Sequence, residues 1–397
     1  MNNYNFIIIG AGIVGLSTAL KILENNPNEK IALLEKENEI GKHQSGNNSG
    51  VIHSGIYYKP GSLKAENCRK GYKLLMDFCD ENDVEYDICG KLIVATNSSE
   101  EQYLNDIYEN GKLNKIENLK FLDKEEIKDH EPNVEGTKGI LVPSTGIIDY
   151  KKVMQKIVEL IQDKGVNIFF NSKVTNIIEK TENVEVVTKK QTFLSDKVIS
   201  CAGLQSDRIA DLSEKNLDLK IIPFRGEYYK LKSDKTHLVN SLIYPVPNPS
   251  FPFLGVHFTK KINGEVEAGP NAVFSFRREG YSRTSFSFTD TFETFMWKGF
   301  RKVASKYLSI GVGEFYRSFN KTAFVKELQK LIPSITKNDI VQGGAGVRAQ
   351  ACNRQGVLLD DFNLIKTKRI LHVVNAPSPA ATASLAIGEH IANNFIN

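Results

Sequence analysis

Three glycines near the start of the chain have the spacing of a nucleotide-binding turn. Gly10, Gly12 and Gly15 form a Gly-x-Gly-x-x-Gly pattern, and the acid Glu35 follows roughly 20 residues later. In this pattern the glycines allow a tight turn, a close approach to a pyrophosphate, and close packing of helix on strand. The pyrophosphate would lie at a helix N-terminus, and the carboxylate would bind a ribose hydroxyl. The spacing therefore predicts dinucleotide binding, with a βαβ unit that holds no ligand as the alternative.

The segments that must position these residues have the pattern of a βαβ unit. Apolar runs at 6–9 and 31–34 predict buried strands on either side of a helix. Residues 43–58 form a loop rich in Ser, Gly and Asn, which offers many backbone N–H donors. The predicted strand 196–203 ends in small residues, which lets backbone approach a cofactor. Residues 377–382 are predicted to open a final helix, whose N-terminus would stabilise negative charge.

Candidate cofactor contacts thus extend over the whole chain, whereas nicotinamide enzymes usually complete their site within the first half. This distribution favours a long, bent cofactor, FAD, over NAD. The predicted contacts are Gly10, Gly12, Gly15, Glu35, Ser45, Asn48, Ser49, Gly50, Val51, Val174, Ala202, Gly203, Gly346, Arg348, Pro379, Ala380, Ala381 and Thr382.

Hydrophobic periodicity divides the chain between two domains. Amphipathic helices are predicted at 61–82 and 151–164, and alternating strands between 166 and 189. Residues 222–290 are rich in aromatic residues, prolines and β-forming runs, which indicates an antiparallel sheet. We therefore predict an α/β fold in which a discontinuous Rossmann-type FAD-binding domain is joined to a second, antiparallel-sheet α+β substrate domain. The predicted boundaries are 1–90, 145–221 and 335–397 for the first domain, and 91–144 and 222–334 for the second.

Composition narrows the class of protein. The 397 residues carry a net charge of +4, which is too small to indicate a nucleic-acid partner. The five cysteines are scattered without a CxxC pair, so the sequence predicts no metal site, no redox dithiol, and reduced thiols in a cytoplasmic protein. The glycine motif begins almost at once, so we expect no secretory signal. No apolar run reaches the roughly 18–20 residues needed to cross a bilayer.

Longer motifs carry a resemblance that covers essentially the whole chain. They are 43–58 (HQSGNNSGVIHSGIYY), 89–92 (CGKL), 223–228 (PFRGEY), 253–257 (FLGVH), 269–272 (GPNA), 345–350 (AGVRAQ) and 375–382 (NAPSPAAT). On these motifs the chain resembles the FAD-dependent D-amino-acid-oxidase-like superfamily and, within it, the L-2-hydroxyglutarate dehydrogenase/oxidase family. The resemblance implies oxidation of a small dicarboxylate, L-2-hydroxyglutarate, to 2-oxoglutarate, with electrons passed to a quinone or to oxygen. An amine or amino-acid oxidase of the same fold is the alternative, and a non-catalytic flavin-binding protein is a third.

Oxidation of a secondary alcohol needs a base for the hydroxyl proton as well as an acceptor for the hydride. His53 lies in the loop expected to pass under the flavin, and His257 lies in a predicted strand of the substrate domain. Either histidine could be the base, and a structural histidine is the alternative for each. An amine substrate can bind already neutral and would need no such base.

A dicarboxylate needs cationic side chains, and arginine pairs with carboxylates through two parallel hydrogen bonds. Arg348 is predicted to bind the carboxylate next to the reacting carbon, while Arg225 either contacts substrate or orders the domain junction. Arg277 and Arg278 end a strand and are either substrate ligands or surface residues, and Lys64 is a further cation. The residues expected to add hydrogen bonds to the substrate are Tyr228, Tyr244 and Asn375.

Two further expectations concern partners and cofactor attachment. The spacing of apolar and basic residues over 292–307 predicts one basic amphipathic helix. This helix would either lie on the anionic inner face of the cell membrane or pack on its own domain. Some relatives in the superfamily attach flavin through a C-terminal cysteine, but the residues around Cys352 do not match that pattern. We therefore predict that FAD is bound without a covalent link.

Overall fold

The computed structural model describes residues 3–247 and 254–395. The helices are α1 (Ile13–Asn25), α2 (Leu63–Glu81), α3 (Ser98–Leu113), α4 (Lys124–His130), α5 (Tyr150–Asp163), α6 (Ser206–Ala210), α7 (Phe288–Met296), α8 (Lys298–Lys306), α9 (Leu308–Phe319), α10 (Lys321–Leu328) and α11 (Ser384–Phe395). The strands are β1 (Asn3–Ile9), β2 (Ile31–Leu34), β3 (Val51–Ile52), β4 (Tyr86–Asp87), β5 (Lys91–Ala95), β6 (Lys120–Leu122), β7 (Lys138–Val142), β8 (Gly146–Ile148), β9 (Asn167–Phe169), β10 (Val174–Glu179), β11 (Val184–Thr188), β12 (Thr192–Ser200), β13 (Leu219–Leu231), β14 (Leu242–Pro245), β15 (His257–Lys260), β16 (Val266–Gly269), β17 (Val273–Phe274), β18 (Ile340–Asn353), β19 (Asn363–Lys366) and β20 (Ile370–Asn375).

The first sheet contains the predicted βαβ unit. Its order is β10-β11-β12-β1-β2-β9, and β20 lies parallel to the end of β12. β1 pairs in parallel with both β2 and β12, so the carboxyl ends of these strands meet at one edge. Apolar residues from α1, α5 and α11 cover one face of this sheet. Burial of these strands under the helices explains why β2 and residues 6–9 of β1 are apolar at every position.

The second sheet is mostly antiparallel, as the β-rich composition predicted. Its order is β17-β13-β16-β15-β14-β5-β7-β6, with β18 paired along β13 from Leu219↔Asn353 to Leu231↔Ile340. The predicted fold class, α/β with a second sheet domain, is confirmed. The predicted domain boundaries remain a prediction. They assign the residues of β18 to the first domain, whereas β18 pairs with a strand of the second sheet.

Two helix predictions were wrong in form. Residues 292–307 do not form one helix, because the chain breaks at Trp297 between α7 and α8. Phe300 and Val303 of α8 pack into a core cluster of their own domain. The final helix begins at Ser384, and residues 377–382 form the turn before it. Part of the predicted β-rich run, residues 248–253, lies outside the described residues.

None of the helices in the described residues combines the length and the apolar character that a membrane-spanning segment requires.

Candidate active site

A cavity of about 920 Å³ opens at the carboxyl edge of the first sheet and extends towards the second. This edge is where parallel α/β sheets bind ligands. The predicted cofactor residues that line it are Gly10, Gly12, Glu35, Ser45, Asn48, Ser49, Val51, Val174, Ala202, Gly203, Gly346, Arg348, Pro379, Ala380, Ala381 and Thr382. Three predicted catalytic or substrate residues line it as well: His53, Tyr228 and Asn375. The residues predicted for the site that do not line it are Gly15, Gly50, Arg225, Tyr244, His257 and Arg277.

The fingerprint glycines leave no room for side chains. A Cβ on Gly10 would lie 2.5 Å from the carbonyl oxygen of Cys201, and its φ of +104° is itself unfavourable for other residues. A Cβ on Gly12 would lie 3.1 Å from Oγ of Ser45, at the cavity wall. Gly15 does not line the cavity. A Cβ there would collide with the carbonyl oxygen of Gly10. Its part is the close packing of α1 on β1, as the pattern predicted.

Glu35 is held in place at the end of β2. Its Oε2 accepts the N–H of Ala11 at 2.9 Å, and its Oε1 accepts the N–H of Glu37 at 2.9 Å. Each carboxylate oxygen retains a second acceptor position. The side chain therefore lines the cavity in a fixed orientation that suits a ribose hydroxyl.

The loop after β2 is shaped by its own side chains. Asn48 donates to the carbonyl of Ser45 at 2.7 Å and accepts the N–H of Gly50 at 2.8 Å. Gly50 has a φ of +72°, and a Cβ there would lie 2.7 Å from the carbonyl oxygen of Ile148. Gly50 is therefore required by its approach to β8, and the structure does not place it at the cavity.

The far part of the cavity contains an unsatisfied acceptor. The amide nitrogen of Asn375 donates to the carbonyls of Leu359 and Asp361, at 3.3 Å and 2.8 Å, whereas its buried Oδ1 has no partner. A Cβ on Gly346 would lie 2.6 Å from the carbonyl oxygen of Asn47. A long cavity, a wall of backbone and a buried acceptor without a donor fit a bound FAD.

His53 lines the cavity at the start of the segment after β3. Its backbone N–H donates to Oγ1 of Thr382 at 3.1 Å, and that hydroxyl also bonds the hydroxyl of Tyr150 at 2.8 Å. Burial lowers the pKa of His53 well below its usual range, and the charge of Lys91 lowers it further. The imidazole is therefore neutral at pH 7 and can accept a proton.

His257 begins β15 and is buried beside the second sheet. Its Nδ1 lies 2.8 Å from the carbonyl oxygen of Gly255, and because a carbonyl only accepts, Nδ1 carries the hydrogen and Nε2 carries the lone pair. Burial lowers the pKa of His257 to about 3. The ring stacks on Tyr244 with centroids 3.9 Å apart.

Lys91 is a residue at the site for which the sequence predicted no role. It begins β5, only 1% of it is exposed, and its Nζ lies over the rings of Tyr57 and Tyr244, at 5.0 Å and 4.8 Å from their centroids. Burial lowers the pKa of Lys91 to about 8. The sequence did contain a signal, because the lysine opens an otherwise apolar strand within the 89–92 motif.

Arg348 lies on β18 opposite Phe224 and lines the cavity. Its positive charge lowers the pKa of both His53 and His257, so it lies near both histidines. Tyr228 also lines the cavity, and burial raises its pKa to about 12, so it is a neutral hydroxyl. Arg348 and Tyr228 therefore present a cation and a hydrogen-bond donor to the same cavity.

Arg225 lies away from the cavity and its guanidinium is bound by other groups, which agrees with the alternative that it orders the domain junction. Its guanidinium pairs with Glu227 at 2.8 Å and donates to the carbonyl of Ser282 at 3.1 Å. It is buried away from the cavity and ties the loop at Ser282 to β13.

The neighbouring pair of arginines is also placed away from the substrate. Arg277 is exposed and does not line the cavity, which agrees with the alternative that it is a surface residue. Arg278 is buried and makes a two-point ion pair with Asp207, one contact being 2.8 Å. Tyr244 does not line the cavity, but its place between His257 and Lys91 keeps it next to the site.

Two further side chains of interest lie near the C-terminal part of the cavity. Lys64 lines it, pairs with Asp360 at 2.6 Å and lies over the ring of Tyr58. Cys352 is buried and does not line the cavity, and burial raises its pKa to about 11. The thiol of Cys352 is therefore poorly placed for attachment of a flavin.

Comparison with known proteins identifies the family. The family model described as DAO, FAD dependent oxidoreductase, matches residues 5–394. The chain is 52% identical over 387 residues to the L-2-hydroxyglutarate dehydrogenase of Indibacter alkaliphilus, covering 97% of each chain. It is 43% identical over 389 residues to the enzyme of that name from Escherichia coli K12, covering 98% of this chain and 92% of that one.

A solved structure shares the fold. L-α-glycerophosphate oxidase from Mycoplasma pneumoniae with FAD bound superposes with a TM-score of 0.80 at 24% identity, covering 99% of this chain and 95% of that chain. The predicted family and the predicted cofactor, FAD, are confirmed. The chain therefore belongs to the FAD dependent oxidoreductases of the DAO family and, within them, to the L-2-hydroxyglutarate dehydrogenases.

Proposed function

We propose that this protein oxidises L-2-hydroxyglutarate to 2-oxoglutarate with FAD as its cofactor. The observation that carries the proposal is the 52% identity over 97% of both chains with a protein named L-2-hydroxyglutarate dehydrogenase. The cavity supports it, because His53 and the cations Arg348 and Lys64 line one continuous space. A neutral base beside positive charge suits a hydroxy acid that carries carboxylates.

Each of these side chains has a proposed part in the reaction. Arg348 binds the carboxylate next to the hydroxyl and orients the reacting carbon, and Tyr228 donates a hydrogen bond to the same group. His53 accepts the hydroxyl proton, because it is neutral and lines the cavity. Residues between Gly10 and Glu35 and the turn 377–382 would hold FAD, which would supply the hydride acceptor. The neutral Nε2 of His257 makes that residue the other candidate for the base.

Anaerobic mixing of the FAD-loaded protein with L- and D-2-hydroxyglutarate tests the proposal. Loss of flavin absorbance with the L isomer, faster than with the D isomer and with stoichiometric 2-oxoglutarate, is the expected result. Glycine and L-amino acids are included in the same experiment, because an amino-acid oxidase is the alternative on this fold. Rapid bleaching by one of these amines and none by the hydroxy acid would reject the proposal.

We also propose that electrons pass to a quinone at the cytoplasmic face of a membrane, with oxygen as the alternative acceptor. α7 and α9 expose apolar side chains in unusual number, led by Phe288, of which 74% is exposed. The others in these two helices are Phe292, Phe295, Met296, Leu308, Val312, Tyr316 and Phe319, and Phe286 is exposed just before α7. Exposed basic residues of α8 lie between them in sequence: Lys298, Arg301, Lys302 and Lys306. Apolar side chains flanked by positive charge suit the surface of an anionic bilayer.

Vesicle flotation at low salt tests the membrane contact. The protein is expected to float with vesicles that contain phosphatidylglycerol, and F288S/F292S is expected to remain with the soluble fraction. L113S is the matched control, because Leu113 is also exposed but lies on α3, away from these helices. Equal flotation of both variants, or none by the unmodified protein, would contradict the proposal.

A further inference from the structure

Lys91 is a buried cation that has no counter-ion in the described part of the chain. Within residues 3–247 and 254–395, no Asp or Glu forms an ion pair with its Nζ, which lies over the faces of two tyrosine rings. The residue lies inside the second sheet, where β5 pairs with β14 on one side and β7 on the other. Removing an ammonium from water without an anion is costly, and ring contacts compensate only part of that cost.

The hydroxyl of Tyr57 provides a second, independent observation. Its oxygen is buried and makes no hydrogen bond to any described residue. Tyr57 is also one of the two rings that contact Lys91. Two groups that can donate hydrogen bonds, one of them positively charged, therefore meet without an acceptor. Such a combination is suited to an anion that the free protein does not supply.

Lys91 and Tyr57 lie close to the two candidate histidines. The charge of Lys91 acts on both His53 and His257. Tyr244 connects them directly, because its ring contacts Nζ of Lys91 and stacks on His257. Lys91 does not line the large cavity, whereas His53 does. Lys91 thus lies one side chain beyond His257, behind the wall of the cavity that Arg348 and His53 line.

We propose that Lys91 and Tyr57 bind the second carboxylate of the substrate and so select a dicarboxylate over a monocarboxylate. This inference rests on the proposed function, since it divides the two charges of one substrate between Arg348 and Lys91. The ammonium of Lys91 provides the opposite charge, and the hydroxyl of Tyr57 donates a hydrogen bond to the same group. A neutral end group would leave the buried ammonium without its partner, which is the physical basis of the selection.

The test compares L-2-hydroxyglutarate with its 5-amide, which has nearly the same shape but no charge at the far end. For the FAD-loaded K91M variant, kcat/KM for the acid is expected to fall by about 100-fold, and kcat/KM for the amide by less than about 3-fold. Y57F is expected to lose about 10-fold on the acid alone. K120M is the matched control, because Lys120 is exposed on β6 of the same sheet, and it is expected to behave as the unmodified protein.

The outcomes separate this inference from other roles. Equal losses on acid and amide would show that Lys91 acts through the histidines, and no loss on either would show that it has no role; both overturn the proposal. If K91M does not bind FAD, the proposal is tested by titrating the unmodified protein and Y57F with glutarate and with butyrate. Glutarate should perturb the flavin spectrum at a concentration at least about 10-fold lower than butyrate does. Equal affinities would also overturn the proposal. Failure of the unmodified protein to oxidise L-2-hydroxyglutarate would reject the proposed function instead.

Discussion

Replacement of His53 by alanine gives the sharpest test of the proposed chemistry. The backbone N–H of His53 is bonded to Thr382, and no described residue bonds its imidazole. Removing the ring should therefore leave the fold and the FAD site intact, and should remove only a proton acceptor. Substrate binding should change little, because the carboxylate contacts are assigned to other side chains.

The expected size of the effect follows from the environment of the ring. A positioned base contributes roughly 10²- to 10⁴-fold, and most when its pKa is close to the working pH. Burial and three neighbouring cations, Lys91, Arg348 and Lys64, hold the pKa of His53 well below that point. We therefore expect a loss at the low end, about 100-fold in the rate constant of flavin reduction, or about 2.7 kcal/mol. The dissociation constant of L-2-hydroxyglutarate should change by less than about 3-fold.

Anaerobic stopped-flow measurements between about pH 6 and pH 8 provide the assay. A group that is neutral throughout this range can accept a proton at every pH in it, so the rate of the unmodified protein should be nearly flat. In His53→Ala, hydroxide replaces the base, so the residual rate should rise with pH. His237→Ala is the control, because His237 is exposed on a short helix and does not line the cavity. A loss below about 5-fold in His53→Ala, with a large loss in His257→Ala, would transfer the role to His257.

The remaining predictions concern the substrate carboxylate, the cofactor fingerprint and cofactor attachment. Arg348→Lys should raise the dissociation constant for L-2-hydroxyglutarate by about 10-fold, measured by flavin titration, because lysine cannot form the two-point contact; unchanged affinity would remove Arg348 from that role. Gly10→Ala should lower the free energy of unfolding by about 2–4 kcal/mol and reduce FAD content, since its Cβ would meet the carbonyl of Cys201; a variant of full stability and normal colour would contradict this. Acid precipitation should release all flavin into the supernatant, because Cys352 does not line the cavity; yellow colour in the pellet would indicate a covalent link.

The sequence predicts the nucleotide end of the site well because the information there is local. Gly10, Gly12, Gly15 and Glu35 belong to one strand-turn-helix-strand unit, and their spacing alone places them at one sheet edge. Gly50 was a less reliable prediction, because a glycine in a loop can serve either a ligand or a neighbouring strand. Here it serves β8, and only the tertiary structure shows that.

The helix at 292–307 shows a different limit of sequence reasoning. Phe300 and Val303 continue the apolar spacing set by Phe292 and Met296, so the pattern resembles one helix with one apolar face. The break at Trp297 divides that face: the residues of α8 point into the domain, whereas those of α7 are exposed. Periodicity could not reveal the break, because the indole of Trp297 is fixed by a tertiary hydrogen bond to the carbonyl of Cys352.

The cations show why substrate ligands were the hardest residues to predict. Arg225 and Arg278 are both buried, yet each has an acid within the fold, Glu227 and Asp207, and so has no charge left for a ligand. For Arg225 the acid is two residues away on the same strand, a signal that the sequence did contain. Lys91 is equally buried, but no acid in the described chain pairs with it. Burial of an unpaired charge is costly, so a fold tolerates it where a bound anion completes the pair. By that criterion Lys91 is a candidate anion ligand, whereas Arg225 and Arg278 are not.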